Sequence, residues 1–393
     1  MNGENPTHRI LQIALVLNNK VGVRTGIEPL LSAATYDYGL PRPDWDWSKL
    51  GHEIEQVQKE LDFLPIDRAA FLNDLLQAFA MMVREGQGDD IPYAERVATY
   101  LQVPGQPVPE YVIEALQREL CALLIEADYP DDLGIALRQW RQRQAIAGSA
   151  LIEKGRAFLE QAAKRTNQIV WPLPEEQKVT LSFPKNYPYR GYSDYARNYE
   201  GRVHLSGDIQ WETAALKHVV CHESFPGHQA YSAIRERSYR TGNLGIEGTL
   251  YFSNTPITPI VEGMCEIGQE ILGMIESIDD RIYHLYNRFS TAVNTNLAFG
   301  CNAGGMDRET AIRQMMRKTY VPRVFAEKFY EFWTNPLWCT SFPHYWYGAE
   351  IMRQNCAQMK GRYPELFRMV YTEPHTVRTL SIAINNLLGL GGG

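Results

Sequence analysis

Apolar positions recur along most of the chain at helical spacing. Phe71, Leu72, Leu75, Leu76 and Phe79 follow the i, i+3, i+4 stripe, with Asp67 fitting as N-cap and Gly86 as stop. Pro109 is suited to open a helix through "EYVIEALQRELCALLIEA", and a long helical stretch is predicted over roughly 131–166, ending near "KRTNQ". The texture changes at "WPLPEEQKVTLSF": two prolines interrupt the spacing and "KVTLSF" alternates like a strand. A Tyr-rich stretch, "NYPYRGYSDYARNYEGRVHLSGD", follows, with "RVHL" as a second short strand. Helical spacing returns at Trp211 and continues to about Leu388. The pattern predicts a mainly α chain with a helical scaffold over 1–170. Residues 171–393 then form a region with a small sheet and further helices, either separately or as part of one continuous bilobal domain.

Composition narrows the class. Across 393 residues, 45% are hydrophobic and 22% charged, as in a soluble globular protein. The formal net charge of −7 argues against nucleic acid or an anionic membrane as the main partner. The apolar run from Ile10 to Leu17 is short, broken by Gln12, and lacks a basic lead or a following cleavage motif, so it fits neither a secretory signal nor a membrane span. Cys121, Cys221, Cys265, Cys301, Cys339 and Cys356 lie far apart with no C-x-x-C pair, which makes a reducing cytoplasm the expected location. Oligomeric state is not legible.

Candidate chemistry gathers in "WETAALKHVVCHESFPGH". Ala214, Ala215, Val219 and Val220 can bury one side of a helix, on which His218 and His222 share a face at i and i+4. His228 lies six residues beyond His222, about 120° away on an unbroken helix. Pro226 would remove a backbone bond and clash with the preceding turn, while Gly227 tolerates unusual torsions. A break there would let His228 swing back toward His222. Glu223 stands beside His222 as the general base does in H-E-x-x-H enzymes. A third ligand could come from Glu262, Glu266 and Glu270 of "PIVEGMCEIGQEILGM", spaced at i, i+4 and i+8. Glu266 and Glu270 also fit the solvated face of an amphipathic helix, the reading taken for Glu270. Two metal arrangements follow: His222 with His228 and a carboxylate, or His218 with His222 and a carboxylate. Either suits one zinc ion with an open position for water.

"HESFPGH" resembles the H-E-x-x-P-G-H signature of the DUF885 family of zinc-peptidase-like proteins, and "VEGMCE" resembles that family's E-G-W segment. The resemblance covers roughly residues 180–275, with Met264 in place of the usual Trp and Gln229 where a further His is common. It implies a gluzincin-like helical metallopeptidase fold with a small β-sheet beside the active-site cleft. It also implies His222, His228 and Glu262 as metal ligands and Glu223 as general base. "SFPHYWYGAE" looks like a shortened form of the family's C-terminal segment. It offers Tyr345, Tyr347 and His344 as donors to a developing oxyanion or as substrate contacts. Arg190, Arg197 or Arg202, near the small sheet, could bind a substrate carboxylate. The expected function is zinc-dependent hydrolysis of an amide bond in a peptide or small amide, of carboxypeptidase or dipeptidase type. The alternative is a catalytically inactive metallopeptidase-like binding protein.

Overall fold

A computed structural model of the chain describes residues 6–25, 31–32, 40–185 and 190–390. The first half carries α1 (Pro6–Thr25), β1 (Leu31–Ser32), α2 (Trp47–Glu60), α3 (Ile66–Gln87), α4 (Tyr93–Leu101), α5 (Glu110–Glu126), α6 (Leu133–Gln144), β2 (Ala145–Ile146) and α7 (Gly148–Arg165). The fold is mainly helical with a small sheet, as the apolar spacing predicts. The run Ile10 to Leu17 lies buried within α1, and among the described residues no helix is long and apolar enough to cross a membrane.

Several boundaries differ from expectation for local reasons. Helix α3 starts at Ile66 behind Pro65, so Asp67 sits in its first turn and caps nothing. It runs past Gly86 and ends at Gly88, whose φ of 101° only glycine adopts without strain. Gly86 serves packing instead: a Cβ there would meet the Trp47 ring at 2.5 Å. The long helix expected over 131–166 is two helices, because Ala145–Ile146 turns extended to pair with residues 211–212. Pro109 does open α5.

The second half continues with β3 (Lys178–Ser182), β4 (Gly191–Tyr195), β5 (Glu200–Leu205), β6 (Trp211–Glu212), α8 (Thr213–Glu223), α9 (His228–Arg240), β7 (Tyr251–Phe252), α10 (Thr258–Glu266), α11 (Gly268–Ile271), α12 (Ile278–Asn302), α13 (Arg308–Thr319), α14 (Arg323–Thr334), α15 (Ser341–Gln358), α16 (Tyr363–Thr372) and α17 (Val377–Leu387). Both expected strands form. The Tyr-rich stretch adds a third, β4, and Trp211 belongs to β6 rather than to the helix after it. In the sheet β3–β5–β4, β5 runs parallel to β3 and antiparallel to β4.

One continuous core links the halves, from Ile10 to Ile384, and β2–β6 and β1–β7 pair strands across them. Trp211 is fully buried, with Nε1 donating to the Ser206 carbonyl at 2.8 Å, which ties the end of the sheet to the start of α8. Buried Lys217 holds α8 against the start of α12, donating to Asp280 Oδ2 at 2.8 Å and to the Met274 carbonyl at 3.2 Å. Gln229 stitches α9 to the sheet, donating to Ser193 Oγ at 2.7 Å and the Asp194 carbonyl at 3.0 Å. Helices α10 and α15 cross where each presents a glycine. A Cβ on Gly263 would meet the Gly348 carbonyl oxygen at 2.3 Å, and one on Gly348 would meet that of Pro259 at 2.3 Å.

Candidate metal centre

Helix α8 is buried from Ala214 through Glu223, so its apolar residues face the core and His218, His222 and Glu223 are carried inside with them. The helix stops at Glu223 and the next starts at His228, the break that Pro226-Gly227 predicts. Gly227 is required by contact rather than by torsion. Its N–H reaches the Cys221 carbonyl at 3.2 Å, and a Cβ would lie 1.7 Å from the His222 carbonyl oxygen. The Tyr371 hydroxyl donates to the Pro226 carbonyl at 2.6 Å and fixes the turn. His228 is thereby folded back, its ring centroid 5.2 Å from that of His222 and tilted by 68°.

Helix α10 supplies the carboxylates. Glu262 Oε2 lies 3.4 Å from His222 Nε2 and 3.5 Å from His228 Nε2. Its other oxygen accepts from the Tyr251 hydroxyl at 3.0 Å. Oε2 is buried and no donor satisfies it. A tetrahedral zinc with nitrogen and oxygen ligands at about 2.0–2.1 Å has ligand-to-ligand edges of about 3.3 Å. The two edges from Glu262 Oε2 match this, while the two Nε2 atoms stand wider apart and would have to close on an ion. On its other side, His222 Nδ1 lies 3.2 Å from Glu266 Oε1, while Glu266 Oε2 accepts from Asn287 Nδ2 at 2.9 Å. Among the described residues, two groupings have ligand atoms all within 4.8 Å of one another: His222, His228 and Cys265, and His218, His222 and Glu266; Glu262 belongs to neither.

The electrostatics call for positive charge. Burial opposes ionisation of Glu262, but the His228 and His222 rings outweigh it and hold the carboxyl well below its usual range. Burial likewise opposes Glu266, and the His222 and His218 rings bring it to about 2. Burial disfavours the charged form of His222, yet the Glu262 and Glu266 carboxylates raise its pKa well above the ordinary value. His218 behaves oppositely, lowered to about 4 by burial despite Glu266. Glu223 is raised by burial, the direction that suits a proton acceptor working near neutrality.

The remaining predicted site residues divide. Tyr345 reaches the centre, its ring 6.1 Å from that of His222. His344 is buried beside it, with neither ring nitrogen partnered, and burial lowers its pKa to about 4. Tyr347 does not reach it: two residues on along α15 it points elsewhere, its hydroxyl donating to the Gln106 carbonyl at 2.7 Å. Arg197 is exposed in the turn between β4 and β5, and Arg202 points outward from β5 toward Asp194 at 3.7 Å, because Gly201 and Val203 take the inner face. Arg190 comes nearer. Its guanidinium lies over the Trp211 and Tyr283 rings and donates to Glu212 at 3.0 Å, and the Tyr283 ring is 5.5 Å from His218. Glu270 is not a freely solvated carboxylate; Arg353 holds it with bonds of 2.7 and 3.0 Å.

Sequence reasoning missed Tyr251, which no local pattern marks. It also missed Gly191 of β4, where a Cβ would meet Val219 at 2.6 Å and Glu223 Oε1 at 3.0 Å. The edge strand therefore lies directly against the end of α8.

No family model matches the chain, and no curated protein matches it. Solved structures share its fold. One is described as a "putative lipoprotein" from Colwellia psychrerythraea, with a TM-score of 0.59 at 15% identity. Its match covers 86% of this chain, which spans 66% of that structure. A second, called a "putative lipoprotein of unknown function", comes from Shewanella oneidensis, with a TM-score of 0.56 at 14% identity over 87% of this chain and 72% of that one. At such identity the likeness is one of fold alone.

Proposed function

We propose that the chain is a zinc-dependent hydrolase of amide bonds, related to the DUF885 proteins and built on a gluzincin-like fold. The observation that carries this reading is the buried, donorless Glu262 Oε2 flanked by His222 Nε2 and His228 Nε2, with Glu223 next in sequence to His222. One zinc ion held by His222, His228 and Glu262 would polarise the scissile carbonyl and acidify a water molecule. Glu223, with its carboxyl raised by burial, is the group to accept that water's proton and return it to the leaving amine. The Tyr345 hydroxyl and a His344 N–H are the donors for the developing oxyanion.

The substrate we propose is a short peptide or small amide. Of the three arginines near the sheet, Arg190 is the one positioned to meet a terminal carboxylate in a carboxypeptidase or dipeptidase reaction. Six free cysteines support a reducing, cytoplasmic setting, while the two fold neighbours called lipoproteins weigh toward the cell envelope; fractionation of cells decides between them. The decisive test of chemistry is metal content after purification, followed by a pool of short peptides. Glu223→Gln is expected to abolish cleavage and keep stoichiometric zinc. Unchanged hydrolysis in that variant would remove Glu223 from the reaction. One observation favours a second reading, a metal-binding protein without catalysis: His222, Glu223, Glu262 and His344 are each at most 8% exposed. Stoichiometric zinc with no cleavage of any peptide would support it.

A further inference from the structure

Cys265 lies one helical turn after Glu262 on α10, so the thiol and the carboxylate share a face. Its sulfur and one ring nitrogen each of His222 and His228 all lie within 4.8 Å of one another. His228 is the first residue of the thirteen-residue helix α9, so the thiol lies beside that helix's N-terminal end. Burial and the Glu262, Glu223 and Glu266 carboxylates push the thiol well above its ordinary pKa, so a thiolate there needs a bound cation. A second, independent feature points to a ligand here: Glu262 Oε2, in a side chain 9% exposed, faces the same two imidazoles with no donor. Cys221 gives a contrast. It is equally buried on α8, but its sulfur sits 3.9 Å from Met274 Sδ, about 100° round that helix from His222.

We propose that Cys265 is a further protein ligand beside His222 and His228, so that the site binds a thiophilic divalent cation through two imidazoles and one thiolate, with the Glu262 carboxylate completing the set as the ion draws it in. This rests on the metal-site reading above and extends it. On binding, the S–H bond breaks, the sulfur electron pair goes to the cation and the proton leaves to solvent. A thiolate in the set selects zinc and its softer relatives over magnesium, calcium and manganese. Four protein ligands also complete a tetrahedral ion, the arrangement of closed sites, whereas catalytic sites keep one position for water. Hydrolysis at this centre therefore needs a fifth position or the departure of the sulfur.

The test uses the full-length protein stripped with a chelator and titrated with Co(II), comparing wild type, Cys265→Ser and Cys221→Ser. Wild type and Cys221→Ser should show visible ligand-field bands together with a near-ultraviolet thiolate-to-cobalt charge-transfer band. Cys265→Ser should lose the charge-transfer band and bind Co(II) roughly tenfold or more weakly, at least the cost of losing an outer-shell partner. Ligand-field bands without charge transfer in the wild type would overturn the role of Cys265 and leave the metal site standing. Absence of metal binding by the wild type would overturn both. Zinc X-ray absorption of the wild type reads the same ligand without a substitution, so a Cys265→Ser protein that fails to fold does not spare the proposal. One sulfur in the first shell is expected, and none would refute it.

Discussion

The two ring nitrogens of His222 face opposite kinds of surroundings. On the Nδ1 side, Glu266 has partners for both its oxygens: His222 for one and Asn287 for the other. On the Nε2 side, a Glu262 oxygen faces two imidazoles at 3.4 and 3.5 Å, with a hydrogen bond of good geometry to neither. A buried carboxylate oxygen without a well-made hydrogen bond costs about 1–3 kcal/mol, which a bound cation would offset. On the metal-site reading proposed above, the Glu266 side would orient the ring and the Glu262 side would take the ion. Of the two metal arrangements that the histidine spacing allows, this contrast favours His228 over His218.

The sharpest way to break that contrast is to compare ligand losses. His228→Ala and Glu262→Gln should each abolish stoichiometric zinc, measured by metal analysis, while His218→Ala keeps it; the reverse pattern would move the site to the Nδ1 side. Gly227→Ala should come next. Its methyl group would fall 1.7 Å from the His222 carbonyl oxygen, and overpacking against backbone costs about 3 kcal/mol or more, read from chemical denaturation. Glu266→Gln is a milder change, which keeps the shape and removes the charge that orients His222. Zinc affinity should fall about 10–100-fold, measured by chelator competition. Smallest is Tyr347→Phe, expected to cost about 1 kcal/mol of stability for the lost bond to Gln106 and to leave zinc unchanged. A drop in its zinc occupancy would bring Tyr347 back to the site.

Much of the centre was legible because the relevant physics is local. Proline and glycine at 226–227 end a helix whatever surrounds them, and the return of His228 follows from that break. Glu266 was ambiguous because an i, i+4 acidic pair looks alike on a solvated face and beside a buried imidazole; only the packing of α10 against α8 and the bond from Asn287 of α12 separate the two. Tyr345 and Tyr347 could have been told apart. Two residues on a helix point about 200° apart, so both could not face one ion. Arg202 likewise sits in an alternation whose inner positions are Gly201 and Val203, and strand geometry alone turns it outward. The division of 131–166 had no such cue. Ala145 and Ile146 leave the helix to pair with a strand some sixty-five residues away.

The glycine crossing of α10 and α15 has a mechanical consequence. Where two helices touch backbone to backbone, no side chain lies between them to yield by changing rotamer. The wall that carries Glu262 and the wall that carries Tyr345 and His344 behave as a single block with no hinge of its own. Opposite, β4 rests on Glu223 through Gly191 at the edge of a three-stranded sheet. Room for a small molecule at this centre would have to come from β4 moving off α8, since the α10–α15 contact has no side chain to give.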